Sequence, residues 1–121
     1  MTFHRLTLFV AAAAAITASP VLAHARLVRS NPAINASVMN PRTLSLTFSE
    51  RLVPAFSRLQ LAMPRGRGMV AVPVKTAIGG DGRTLVGTPQ GALMKGLYII
   101  NWTAASFDGH KMTGSLRFRV S

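Results

Sequence analysis

Beyond residue 23, few side chains can do proton or metal chemistry: two histidines, His24 and His110, and three acids, Glu50, Asp81 and Asp108. The chain has no cysteine, which removes the strongest soft ligand and all thiol redox chemistry. Any metal site must use nitrogen, oxygen or thioether donors. Asp108 and His110 stand two apart, and in an extended backbone such residues face the same side, toward one ligand. A lone Asp-Gly-His turn is more often an ordinary polar loop in which the Asp bonds nearby backbone. No nucleophile–base pair, glycine-rich phosphate loop or paired catalytic carboxylates occur, so no enzyme activity is expected.

The position of His24 adds to this short inventory. The first 23 residues read as a secretory signal peptide: a short basic start (His4, Arg5), an apolar run from Leu6 to Ile16, a break at Pro20, and the small-residue ending Val21-Leu22-Ala23. The apolar run is too short to span a bilayer, which takes about 20 consecutive apolar residues. A cut after Ala23 makes His24 the first residue, giving it a free amine as well as an imidazole. The donors are then one amine, two imidazoles and one carboxylate. Cu(II) prefers tetragonal nitrogen-and-oxygen coordination and tops the divalent affinity order. Zinc could use the same donors but favours a tetrahedron.

Cleavage leaves residues 24–121, enough for one domain with a modest core. Without disulfides it must hold together by packing alone. The precursor carries +11, and loss of Arg5 leaves thirteen Lys and Arg against three acids. Such a surplus suits an anionic partner, but the charges are scattered along the sequence, and export argues against nucleic acid. One alternative function follows: a basic extracytoplasmic module docking on an anionic membrane protein or lipid.

The elements that must position these residues are strands. Leu44, Leu46 and Phe48 alternate with polar residues, as do Leu59 and Leu61; Val70, Val72 and Val74 form a third set, which Pro73 pushes toward a sheet edge. Tyr98, Ile100, Trp102 and Ala104 share a face, and Leu116, Phe118 and Val120 alternate with Arg117 and Arg119. Adding Arg26–Ser30 and Thr84–Val86 gives about seven strands separated by Pro- and Gly-containing turns. That spacing predicts a small antiparallel β-sandwich, immunoglobulin-like, with Trp102 at its centre and Asp108-Gly109-His110 in a loop between two strands.

These segments resemble the CopC family of periplasmic copper-binding, copper-resistance proteins. The resemblance rests on His24-Ala25-Arg26-Leu27-Val28-Arg29-Ser30-Asn31-Pro32-Ala33, on Leu46-Thr47-Phe48-Ser49-Glu50, and on Trp102, Ser106, Asp108, His110, Gly114, Phe118 and Val120. It covers essentially all of 24–121. It implies a cupredoxin-like or immunoglobulin-like Greek-key sandwich that holds one Cu(II) per chain through His24, Asp108 and His110. Glu50 matches a family acid near that site, where a carboxylate can orient an imidazole or the amine; it reads equally as a solvated charge at a strand end. The implied role is a periplasmic carrier or buffer of copper. Its implied partners are the copper ion and an inner-membrane copper transporter or another periplasmic copper protein.

One departure from the family and one competing reading bear on this expectation. Many members of the family carry a methionine-rich loop with a histidine that binds Cu(I). Here the matching stretch, Met63-Pro64-Arg65-Gly66-Arg67-Gly68-Met69, has two methionines, two arginines and no histidine, so no strong Cu(I) site is expected. Met39, Met94 and Met112 are expected to pack. Lytic polysaccharide monooxygenases also use a terminal histidine brace, but this chain is much shorter and lacks an aromatic face for polysaccharide.

Overall fold

The computed structural model describes residues 24–121; the expected signal peptide lies outside the described residues. Two sheets face each other. One holds four strands in the order β1-β3-β7-β6: β1 (Leu27–Asn31), β3 (Leu44–Phe48), β7 (Thr84–Pro89) and β6 (Val74–Ile78). The other holds five in the order β2-β9-β8-β4-β5: β2 (Ser37–Val38), β9 (Lys111–Val120), β8 (Gly96–Ala105), β4 (Arg58–Arg65) and β5 (Gly68–Val72). A 3-10 turn, Pro54–Phe56, lies between β3 and β4. All pairings are antiparallel except β2 with β9, which is parallel. The β-sandwich expected from the alternation is the fold found.

Inward-facing residues of both sheets make the core. Leu44, Leu46 and Phe48 of β3 are buried against Leu59 and Leu61 of β4 and Tyr98 and Ile100 of β8. Leu116, Phe118 and Val120 complete it from β9. Fully burying each such side chain contributes roughly 1.5–3 kcal/mol relative to exposure. Tyr98 stacks on Phe118 at 5.5 Å between ring centroids, and its hydroxyl donates to the Met94 carbonyl at 2.7 Å.

The structure corrects the expectation in several places. Among the described residues there are nine strands, where about seven were expected. The two-residue β2 is too short to show a period. The Val70/Val72/Val74 set is two strands in different sheets, β5 pairing with β4 and β6 with β7. Pro73, with no N–H to give a ladder, sits where the chain crosses between them. Its predicted preference for an edge holds twice over, because β5 and β6 are both edge strands.

Trp102 is only partly buried and is not the centre of the core, which Tyr98, Phe48 and Phe118 occupy. Its ring meets Phe48 edge-on at 5.0 Å and covers Gly114, the residue opposite it on β9. Met39 and Met94 do not pack; they are 82% and 58% exposed, because both lie in loops beyond the end of the core. Met112 is half-buried.

Candidate metal centre

The site forms at one end of the sandwich, where the segment entering β1 passes the loop between β8 and β9. Ala25 is fully buried in the core, which anchors the chain one residue after His24. Ser49, just past β3, ties down the same segment: its Oγ accepts from the Arg26 N–H at 3.0 Å and donates to the His24 carbonyl at 3.4 Å. Its own N–H donates to the Arg26 carbonyl at 2.9 Å. Ser49 thereby holds the peptide groups on both sides of Ala25, the residue next to His24.

The second half of the site is the tight loop Ser106–His110. The Ser106 N–H donates to the His110 carbonyl at 3.1 Å, and the Gly109 N–H to the Ser106 carbonyl at 3.1 Å. Gly109 has φ +89°, a conformation that favours glycine. The loop is therefore a turn and not the extended segment that a two-residue spacing invoked. Asp108 and His110 nevertheless face each other, because the carboxylate closes the turn. Its Oδ1 accepts from the His110 N–H at 3.0 Å and from the Ser106 hydroxyl.

Asp108 Oδ2 is left to face the imidazoles, 3.2 Å from Nδ1 of His110 and 3.5 Å from Nδ1 of His24. The two rings meet edge-on, with centroids 4.5 Å apart. One donor atom from each of His24, Asp108 and His110 lies within 4.8 Å of the others. Among the described residues, these three make the one such group. The polar-loop reading and the ligand reading of Asp-Gly-His thus both hold, on different oxygens of one carboxylate.

The electrostatics fit a cation. The Ser106 hydroxyl, followed by the His110 N–H, lowers the Asp108 pKa to about 2, so the carboxylate stays charged through mild acid. Its side chain is 16% exposed, against 42% for His24 and 51% for His110. The carboxylate forms the floor of the site and the imidazoles its open rim.

Glu50 stays outside the converging group. It shares with Asp108 the wall of an adjoining open cleft of about 620 Å³, with Arg51, Arg83, Ser106 and Phe107. Arg83 donates from Nη1 to the Ser49 carbonyl at 2.9 Å, bracing the residue that holds His24. Sequence reasoning gave no role to Ser49 or Ser106. Both stood in the quoted segments, but a lone serine carries no spacing signal of its own.

Met63 and Met69, weighed as soft donors, do not converge. Met63 follows Leu59 and Leu61 on the inward face of β4 and packs against the core. Met69 pairs with Pro64, one position out of phase, so it lies on the other face and is half exposed.

Comparisons with known proteins agree with this architecture. The chain is 41% identical over 119 residues to copper resistance protein C of Pseudomonas syringae pv. tomato, covering 95% of this chain and 93% of that one. It is 37% identical over 118 residues to copper resistance protein C of Xanthomonas campestris pv. juglandis, covering 94% and 93%. Among solved structures it matches PcoC, a methionine-rich copper resistance protein from Escherichia coli. That match has a TM-score of 0.77 and 35% identity, over 82% of this chain and 100% of that one. The family model of the CopC domain matches residues 27–121, the whole sandwich from the start of β1, and on that extent and those identities the chain belongs to the CopC domain family.

Proposed function

We propose that this chain is a periplasmic copper-resistance protein, exported by cleavage after Ala23, that holds one Cu(II) and carries or buffers it. The observation that carries the proposal is the convergence of His24, Asp108 and His110 within 4.8 Å from opposite ends of the domain sequence. The relatives named copper resistance protein C support the choice of metal. So does the chemistry of the donors: imidazole nitrogen and carboxylate oxygen suit Cu(II), and a terminal amine on His24 adds a third nitrogen that closes a chelate ring.

In this reading His24 binds through amine and imidazole, His110 through imidazole, and Asp108 supplies the compensating charge. Glu50, on the adjoining cleft, would orient an imidazole or the amine. The open rim suits a carrier, because an acceptor's donors can approach the ion directly. That acceptor is an inner-membrane copper transporter or another periplasmic copper protein. Nothing in the site calls for turnover.

Mass spectrometry of the exported protein, with and without added Cu(II), tests both halves together. The expected result is a first residue of His24 and a mass increase of one copper ion. A different first residue, or no retained copper, overturns the proposal.

A further inference from the structure

The end of the sandwich opposite the candidate metal centre carries a second feature, independent of copper. Strand register fixes which loops meet there. Gly96 of β8 pairs with Val120 of β9, at the far end from the Ala105–Lys111 pair that leads into the metal loop. The β4–β5 turn, the β7–β8 loop and the β2–β3 loop all project from that far end. Two open clefts confirm that they adjoin: one joins Arg42 to Ala92, the other joins Arg65 and Val70 to Met94.

Charge divides unevenly between the two ends. The three acids of residues 24–121 all lie at the metal end: Glu50 after β3, Asp81 between β6 and β7, and Asp108 between β8 and β9. The far end has none, and its loops present Arg42, Arg65, Arg67 and Lys95. Arg117 and Arg119 extend the basic surface along the outer face of β9, alternating with buried Leu116, Phe118 and Val120. It is the acids that are one-sided in the fold: at the metal end they offset Arg26, Arg29, Arg51, Arg58, Arg83 and Lys111, while the far-end cations have no acid beside them.

Exposed apolar side chains stand among these cations. Met39 projects from the β2–β3 loop, Met94 from the β7–β8 loop, and Met69 and Val70 from β5 beside the hairpin turn. Met39 is the most exposed of the large apolar residues. Loop tips that combine unpaired cations with flexible apolar side chains match the boundary of an anionic bilayer. Headgroup phosphates take the charges while thioether and valine side chains enter the acyl edge. Met39, Met69, Val70 and Met94 are spread over three separate loops and turns and form no single groove, which suits a bilayer edge that needs no shaped counterpart better than a protein surface.

We propose that this basic, methionine-bearing end is a docking surface for an anionic phospholipid bilayer, which turns the His24–Asp108–His110 end toward the aqueous side. The test uses residues 24–121, which contain the whole core, and vesicles of phosphatidylcholine with or without phosphatidylglycerol, read by co-sedimentation. The metal-free protein should bind the anionic vesicles and not the neutral ones, and should bind less as salt rises.

Each cation at the surface contributes roughly fivefold to partitioning. The variant Arg42→Gln, Arg65→Gln, Arg67→Gln, Lys95→Gln should therefore lose more than about a hundredfold. Neutralising as many cations at the other end (Arg26→Gln, Arg29→Gln, Arg58→Gln, Lys111→Gln) should cost far less. A tryptophan reporter, Met39→Trp, should be quenched by brominated lipid. Equal loss in the two charge variants would mean that net charge alone drives binding, and would overturn the proposal. So would capture by an acidic protein surface without vesicle binding, or an unquenched Met39→Trp.

Discussion

Replacing Asp108 by asparagine separates the two tasks of one carboxylate. Oδ1 closes the loop by accepting from Ser106 and from the His110 N–H, while Oδ2 faces Nδ1 of both imidazoles. Asparagine keeps a carbonyl oxygen for the first task and places an uncharged NH₂ group at the second. An ion held among donors within 4.8 Å of one another lies no further than about that from Oδ2. At the dielectric constant of bulk water, a unit charge attracting a divalent ion at 4.8 Å is worth about twentyfold in affinity. Partial exclusion of water from the 16% exposed side chain makes that a lower bound. The assay is chelator competition for Cu(II) on the protein beginning at His24, beside thermal melting of the metal-free form. Asp108→Asn should weaken Cu(II) binding by at least that factor, alter the Cu(II) EPR spectrum, and lower the metal-free melting temperature only by the charge-dependent part of the Ser106 and His110 hydrogen bonds, less than Asp108→Ala does. Asp108→Ala should lower both, since Ser106 and the His110 N–H then lose their acceptor. Unchanged affinity and an unchanged spectrum in Asp108→Asn would refute the assignment of Oδ2 to the metal.

Four further outcomes are expected. A methionine retained ahead of His24 removes the free amine from that residue, and chelator competition should show Cu(II) affinity reduced by orders of magnitude; equal affinity would rule out the terminal brace. Met63→Leu with Met69→Leu should leave Cu(II) affinity unchanged, and a strong Cu(I) chelator should strip the reduced protein completely, because the two thioethers lie on opposite faces of the hairpin. Asp108 is lowered to about 2, and Asp81 is lowered chiefly by the Arg83 N–H and then the Thr84 hydroxyl. Both contribute stability that is complete above the ordinary carboxyl value of 3.8 and is lost as pH falls through their folded values, so urea midpoints of the metal-free protein should drop below that pH, and less so in Asp81→Asn. Gly114→Ala would drive a Cβ into the Trp102 ring and should destabilise by ~1–3 kcal/mol in chemical denaturation, whereas Gly91→Ala, with nothing within 4 Å, should not.

The sandwich was legible wherever one face of a strand is buried, as in β3, β4, β8 and β9, because burial writes a period of two into the sequence. It was not legible at β2, where two residues have no period, nor at Pro73. There a valine alternation ran unbroken through a crossing between sheets. Trp102 misled because size was taken for centrality; what decides its position is the glycine opposite, which lets the ring lie flat at the margin. At the site, the residue types and their scarcity pointed to His24, Asp108 and His110, and the fold brings the three together. The division of labour within Asp108 was hidden, since it depends on Ser106 and on the positive φ of Gly109. The concentration of acids at one end was hidden as well. It depends on which loops share an end of the sandwich, and no local pattern encodes that.

His24 opens the segment that leads into the edge strand of one sheet, and Asp108 and His110 belong to a hairpin of the other. In a chain without cysteine, an ion shared by these residues joins the two sheets as a removable clasp, closing a span between positions 24 and 108 that no covalent bond closes. A ligand that binds only the folded form stabilises it by mass action, and here that stabilisation would tie the segment before β1 to the β8–β9 loop. Cargo and lifetime are then coupled. On the proposed cleavage after Ala23, the loaded protein would keep His24 from aminopeptidases better than the empty one, and its abundance would follow the supply of the proposed ion.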